Sequence, residues 1–116
     1  MSNQYTYDTI ETIEKQNNIL GEEDATLIYF SHEQCNVCKV LKPKIAELLQ
    51  NEFPKMKMYY SDTVKFPETA AQNSVFAVPT LLVFFQGKEY FRKSRNISVG
   101  DLENDIARPY GMIFDE

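Results

Sequence analysis

The chain has 116 residues, of which 43% are hydrophobic and 13% aromatic, a composition typical of a folded domain rather than a disordered chain. Its formal net charge of −5 argues against nucleic-acid binding by bulk electrostatics. No apolar run approaches the length of a transmembrane helix, and the first five residues lack the basic and apolar segments of a signal peptide. We therefore expect one domain over residues 1–116, with no nucleic-acid or membrane partner and a cytoplasmic location.

The N-terminal part of the chain predicts a helix followed by a buried strand. Asp8 and Glu11 resemble a capping pair beside a weak helical stripe, so we expect the first helix over about residues 6–18, before a polar loop. The next segment, residues 25–30, is rich in β-branched and aromatic side chains and shows no alternation. This pattern is typical of a strand that is buried on both faces of a sheet.

Helical periodicity returns soon after this strand. From Val37, apolar residues recur on one helix face as far as about residue 50. Pro43 lies inside this helix and is expected to kink it, because proline lacks a backbone N–H and clashes with the preceding turn. A second strand is predicted over residues 56–61, and a short helix over residues 66–74.

The C-terminal part of the chain predicts a hairpin and a last helix. Residues 80–86 read as a third strand that is again apolar on both faces, and a tight turn at Gly87 leads to a fourth strand over residues 89–93. A capping box then begins the last helix, which Pro109 is expected to stop. Residues 110–116 receive no assignment.

The order of these elements predicts the fold class. Strand–helix–strand units imply parallel pairing with right-handed crossovers, whereas the hairpin adds an antiparallel strand. The sequence therefore predicts an α/β protein with a four-stranded mixed sheet and helices on both faces.

The chain contains only two cysteines, Cys35 and Cys38, and they lie at the start of the second predicted helix. There, free N–H groups and the positive end of the helix dipole favour the reactive thiolate. Two intervening residues bring the sulfurs within bonding distance, with Cys35 facing outward and Cys38 more shielded. The spacing predicts thiol–disulfide exchange, which needs no cofactor.

Together with later features, this cysteine pair resembles the active-site motif of thioredoxins. The additional features are Pro43, five residues after the second cysteine, and the triplet Val78-Pro79-Thr80 before a hairpin closed by Gly87. The resemblance covers about residues 20–108 and implies a thioredoxin-like fold and a thiol–disulfide oxidoreductase that reduces protein disulfides. It also implies two partners: disulfide-containing protein substrates, and an upstream donor similar to thioredoxin reductase that restores the dithiol.

The resemblance also implies roles for individual residues. Cys35 is the attacking cysteine, Cys38 is the resolving cysteine, and Pro79 follows a cis peptide bond that faces them. The implied substrate-binding residues are Val78, Pro79, Asn36 and Val37.

The chain departs from the thioredoxin pattern around this motif. Tyr29 stands where the family has a buried aspartate, and Asn36-Val37 replaces Gly-Pro between the cysteines. The two nearby tryptophans of the family are replaced by Ser31 and Gln34. A glycine in the substrate-facing loop of the family corresponds to Arg95 or Asn96, and only residues 3–5 leave room for the family's first strand.

Two neighbouring residues are candidates for tuning the cysteines. His32 lowers the pKa of Cys35 or relays a proton, or else it is a solvent-exposed loop residue. Glu33 is a candidate proton acceptor in place of the missing aspartate, although its position in a loop favours solvent. A different hypothesis joins His32, Cys35 and Cys38 in a metal site. A further alternative is a thioredoxin-fold adaptor or redox sensor with little catalysis, which the missing aspartate and tryptophans favour.

Overall fold

In a computed structural model, which describes residues 8–115, the chain forms five strands and four helices. Their bounds are β1 (Asp8–Thr9), α1 (Ile13–Glu22), β2 (Ala25–Ser31), α2 (Asn36–Glu52), β3 (Lys57–Asp62), α3 (Pro67–Gln72), β4 (Thr80–Phe85), β5 (Lys88–Ser94) and α4 (Val99–Phe114). The strands form one mixed sheet in the order β1-β3-β2-β4-β5. The predicted α/β class is therefore confirmed.

Strand β2 lies at the centre of the sheet. It pairs parallel with β3 and antiparallel with β4, and all seven of its residues are buried. Leu27 and Tyr29 belong to the core that includes side chains of α2 and α4, whereas Ile28 and Phe30 belong to a second core on the opposite face. Because successive residues of a strand point to opposite faces, this division confirms that both faces of the sheet are covered.

Residues 8–115 alone contribute five strands to the sheet, so the predicted count of four is wrong. The additional strand, β1, has two residues and pairs parallel with β3, with Asp8 opposite Tyr59. The N–H of Ile10 extends the pairing by donating to the carbonyl of Tyr60 over 2.8 Å. A strand of two residues is too short to show a period in the sequence. The segment suggested for the family's first strand, residues 3–5, lies outside the described residues.

Helix α1 begins and ends later than predicted. Its N-cap is Thr12, whose hydroxyl accepts a hydrogen bond from the N–H of Lys15 over 3.1 Å, so the proposed Asp8–Glu11 capping pair is wrong. The helix continues to Glu22. Gln16, which is 3% exposed, exchanges two 2.8 Å hydrogen bonds with the side chain of Asn73. This long-range contact holds α1 against the segment after α3, and the local periodicity of the sequence does not reveal such a contact.

Helix α4 runs through Pro109 to Phe114, so the prediction that this proline stops the helix is wrong. Tyr110 is 2% exposed, and its ring lies 5.0 Å from that of Phe53 and 4.6 Å from that of Phe114, between centroids. Its hydroxyl accepts a hydrogen bond from the N–H of Lys55 over 3.0 Å. An internal proline costs about 3 kcal/mol, and burying a large aromatic side chain returns about 1.5–3 kcal/mol. Packing beyond the proline thus keeps the chain helical.

The remaining elements lie within a few residues of the predicted positions, and Pro43 lies inside α2 as expected. Within residues 8–115, no helix is both long and apolar enough to cross a membrane.

Candidate active site

The two cysteines lie at the start of α2, where the central strand β2 delivers the chain. Cys35 is the N-cap residue, and its sulfur accepts a hydrogen bond from the N–H of Cys38 over 3.2 Å. The N–H of Cys35 itself donates to the carbonyl of His32 over 3.2 Å. No acidic residue lies in the first turn of the helix. The positive end of the helix dipole therefore acts on Cys35 without an offsetting carboxylate in the first turn.

Cys35 and Cys38 form a disulfide, with their Cα atoms 5.3 Å apart. Cys35 is partly exposed, whereas Cys38 is 1% exposed and belongs to the core under α2. The expected contrast between an outward and a shielded sulfur is thus present in the fold. Because a disulfide with one accessible sulfur is open to attack by a thiolate, the arrangement suits thiol–disulfide exchange.

Tyr29 occupies the position of the family's aspartate and lies beneath the first turn of α2. The residue is fully buried, and its hydroxyl donates to the carbonyl oxygen of Cys38 over 2.9 Å. A neutral phenol, unlike a carboxylate, carries no charge into the core. The side chain therefore supports the backbone of the resolving cysteine through a hydrogen bond rather than through an electrostatic field.

Next to Tyr29 across the sheet, Tyr60 and Lys42 form a second polar contact. Tyr60 pairs with Tyr29 between β3 and β2, and the ammonium of Lys42 lies 4.3 Å from the centroid of its ring. Burial lowers the pKa of Lys42 and raises the pKa of Tyr60. A half-buried cation one helical turn after Cys38 is a feature that the sequence analysis missed, since a lysine on a helix is usually solvent-exposed.

His32 and Glu33, the two residues proposed to tune the cysteines, differ in burial and in their partners. His32 is half-buried, and its Nδ1 accepts a hydrogen bond from the N–H of Gln34 over 3.2 Å. Glu33 is exposed and forms an ion pair with Lys65 at 3.4 Å. The carboxylate of Glu33 is therefore engaged at the surface, as its loop position suggested.

The second loop of the site carries the Val78–Pro79 peptide bond, which is cis as expected. The carbonyl of Pro79 accepts a hydrogen bond from the N–H of Arg95 over 2.7 Å. Arg95 has φ = 64°, in the left-handed region that favours glycine. Of the two candidates for the family's glycine position, Arg95 is thus the residue with the glycine-like backbone.

Two surface grooves flank the cysteines. The larger, with a volume of about 650 Å³, runs between α2 and the loop before α4 and includes Asn36, Val37 and Arg95. The smaller, about 310 Å³, includes His32, Phe76 and Val78. Sequence reasoning found some of these residues but missed Phe76, which is 85% exposed beside the cis-proline loop. Phe76 lies two residues before Val78 in the sequence, and this closeness to the Val-Pro-Thr triplet is the signal that could have found it.

The metal hypothesis is not supported by this geometry. Within the described part of the chain, no three His, Cys, Asp or Glu side chains are arranged to hold a metal ion. His32 is near Cys35 in sequence, but its Nδ1 already accepts the hydrogen bond from Gln34.

Known proteins share this arrangement of sheet, helices and cysteine pair. A family model described as Thioredoxin matches residues 8–108. Thioredoxin-like protein YdfQ of Bacillus subtilis is 32% identical over 95 residues, which cover 82% of this chain and 84% of that protein. A thioredoxin of Buchnera aphidicola is 36% identical over 81 residues, 70% of this chain and 72% of the relative.

Solved structures agree with the sequence comparison. Thioredoxin 1 of Thermosipho africanus superimposes with a TM-score of 0.69 at 32% identity, over 78% of this chain and 99% of that one. The oxidised form of mitochondrial thioredoxin 3 of Saccharomyces cerevisiae shares the fold, with a TM-score of 0.79 at 22% identity over 87% and 93% of the two chains. The chain belongs to the thioredoxin family and is a thiol–disulfide oxidoreductase.

Proposed function

We propose that the chain reduces disulfides in protein substrates by cycling Cys35 and Cys38 between dithiol and disulfide. The observation that supports this most directly is the unequal exposure of the pair. Cys35 is partly exposed at the start of α2, whereas Cys38 is 1% exposed behind it. An incoming substrate sulfur can approach Cys35, and Cys38 is held where it can react with Cys35.

In the first step, the Cys35 thiolate attacks one sulfur of the substrate disulfide. A bond forms between Cys35 Sγ and that sulfur, and the S–S bond of the substrate breaks. The other substrate sulfur leaves with the electron pair and takes a proton from water. The N-terminal end of α2 stabilises the thiolate through its dipole and its free N–H groups.

In the second step, Cys38 loses its proton to solvent and attacks Cys35 Sγ. The remaining substrate sulfur leaves with the electron pair and is protonated, and the Cys35–Cys38 disulfide forms. Overall, the substrate gains two electrons from the two cysteines and two protons from solvent, into which the two thiols release theirs.

Substrate chains bind, in this proposal, to Val78, Pro79, Asn36 and Val37. Val78 and Cys35 pack against the same core cluster, which brings the cis-proline loop and the cysteines to one side of the sheet. An extended substrate segment can pair with the backbone at Val78 as an added strand, which fixes it without demanding a particular sequence. Asn36 and Val37 are exposed and offer side chains beside the reacting sulfur.

The cycle requires an electron donor and a reducing compartment. Thioredoxins generally act on protein disulfides and are reduced by thioredoxin reductase, so a reductase of that class is the partner we assign to the oxidised form. A cytoplasmic location fits this direction of electron flow, because the glutathione and thioredoxin systems keep that compartment reducing.

The test combines a measurement of the reduction potential with trapping experiments on two cysteine variants. The reduction potential of the Cys35–Cys38 pair is measured in dithiothreitol buffers with thiol trapping. We expect a value below the cytosolic glutathione poise of about −220 to −260 mV found by biochemical extraction. Reduced Cys38→Ser, incubated with a disulfide-containing protein, should accumulate a mixed disulfide through Cys35. Matched Cys35→Ser protein should accumulate little.

Two results contradict the proposal in different ways. A potential well above the glutathione poise indicates an oxidant or a sensor instead of a reductase. A pair that forms a disulfide but transfers no electrons to protein substrates indicates an adaptor, the alternative that the substitution of Tyr29 for aspartate favours.

A further inference from the structure

The larger groove beside the cysteines has an apolar floor that is open to solvent. Val37 and Val40, one turn apart on the outer face of α2, are 64% and 60% exposed. Ile97, in the loop before α4, lines the opposite wall. Apolar side chains exposed together beside a reactive sulfur provide a surface that a partner can cover.

The charged residues that line this groove are both cations. Lys44 lies on the α2 wall and Arg95 on the loop wall, and no lining residue is acidic. The nearest acidic residue after the loop is Asp101, which lies in the first turn of α4, three positions beyond the lining residue Ser98. Within a chain of net charge −5, the groove is therefore a local positive site.

Among the described residues, these two cations have no acidic partner, unlike the basic residues that form ion pairs elsewhere on the surface. Lys65, Lys93 and Arg92 form ion pairs with Glu33, Asp105 and Glu89, respectively. Over residues 8–115, by contrast, no carboxylate lies within 4.0 Å of Lys44 or Arg95. Both charges are thus available to a bound molecule.

The backbone fixes Arg95 at the edge of the groove. Its N–H donates to the carbonyl of Pro79, so the residue is tied to the loop proposed to bind substrate. Its φ is 64°, a backbone angle that costs arginine conformational free energy, whereas glycine adopts it without that cost. A large cation in this strained position favours a role for the side chain, since glycine fits the backbone better.

We propose that this groove selects protein substrates that carry an acidic residue and an apolar residue within a few positions of the reacting cysteine. The acidic side chain pairs with Arg95 and Lys44, and the apolar side chain covers Val37 and Val40. The inference rests on the proposed disulfide reductase activity and adds a substrate preference to it.

The test uses disulfide-linked peptides that differ at one position. Each peptide has a leucine near its cysteine and either glutamate, glutamine or lysine as the variable neighbour. A small uncharged dialkyl disulfide serves as the reference substrate. Second-order rate constants for reduction are measured with reduced protein at low and at high salt.

We expect the glutamate peptide to react about two- to fivefold faster than the lysine peptide, the range of an exposed ion pair. High salt should remove most of the difference. Arg95→Glu should reverse the preference, and Lys44→Gln should reduce it. The control Lys88→Gln, which removes a cation from the β4–β5 hairpin, should leave the ratio unchanged.

Arg95→Gly separates the side chain from the backbone. We expect this variant to melt at a temperature at least as high as that of the original protein, because glycine relieves the left-handed backbone, and to lose the preference for glutamate. Loss of the preference therefore cannot be ascribed to unfolding.

Three results overturn the inference. Equal rates for all three peptides, with normal reduction of the uncharged disulfide, remove the preference and leave the reductase activity intact. Failure to reduce any of the substrates, the uncharged disulfide included, removes the proposed function itself. A chain that sediments as a dimer, and as a monomer after Val40→Asp, shows that a second copy covers the groove instead.

Discussion

Removing the hydroxyl of Tyr29 tests whether this side chain supports the turn that carries the cysteines. Tyr29→Phe keeps the ring, which is fully buried between β2 and α2. It deletes only the oxygen that donates to the carbonyl of Cys38 over 2.9 Å. The substitution therefore removes the buried hydrogen bond to Cys38 with little change in apolar packing.

The expected change in the free energy of unfolding depends on which hydrogen bonds the carbonyl of Cys38 keeps in Tyr29→Phe. A buried hydrogen bond contributes about 0.5–1.5 kcal/mol net, and a group left without any partner costs about 1–3 kcal/mol. A helical carbonyl also accepts from the N–H four residues later, here that of Lys42, so Cys38 keeps one partner. We therefore expect the free energy of unfolding to fall by about 1 kcal/mol, which lowers the melting temperature by about 4 °C in a chain of this length.

Urea unfolding of the oxidised protein, followed by far-ultraviolet circular dichroism, measures this difference. Tyr90→Phe is the matched control, because Tyr90 is 53% exposed, and its substitution should change the free energy of unfolding by less than about 0.5 kcal/mol. A decrease above about 2.5 kcal/mol for Tyr29→Phe means that the hydroxyl does more than bond to one carbonyl. A decrease no larger than the control refutes the role of the hydroxyl in supporting the turn.

Three further substitutions test other parts of the fold and the site. Burial and the Glu23 carboxylate raise the pKa of Tyr59, so its contribution to stability is present below about pH 10 and is lost as the pH rises further. In melting curves between pH 8 and 11, Tyr59→Phe should therefore lose less of its melting temperature at alkaline pH than the original protein does. Pro109→Ala restores the N–H that bonds to the carbonyl of Asp105 and should raise the free energy of unfolding in urea by up to about 3 kcal/mol. A decrease shows that the helix depends on the proline. Phe76→Ser should change the free energy of unfolding by less than about 0.5 kcal/mol, because the ring is 85% exposed. The same variant should have a lower kcat/KM for protein disulfides. An unchanged kcat/KM excludes Phe76 from the substrate surface.

The elements that the sequence predicts well are those whose burial pattern is continuous. Strands β2 and β4 are apolar on both faces and buried throughout, and helix α2 repeats its apolar residues at helical spacing. In these segments, local propensity and tertiary burial favour the same structure. Strand β1 and the end of α4 depend instead on contacts with distant residues, namely Tyr59 and Phe53, and a local window does not contain that information.

The site shows the same division between local and distant information. The positions of Cys35 and Cys38 follow from a motif at a helix start, and the cis bond before Pro79 follows from family resemblance. The sequence leaves open whether Arg95 or Asn96 takes the left-handed position, because either residue is compatible with a loop. Only the fold shows that Arg95 faces the groove beside the cysteines.

The substitutions that distinguish this chain from the family pattern lie around the disulfide and leave the scaffold intact. Tyr29 replaces a buried carboxylate with a neutral donor, so the core beneath Cys38 stays satisfied without a charge. A phenol is a weak base at neutral pH, so it is a poor substitute for a carboxylate as proton acceptor. Arg95 adds a cation at the position where a glycine fits the backbone best. Because the first change acts below the cysteines and the second beside them, we expect proton transfer and the proposed substrate preference to vary independently on one fold.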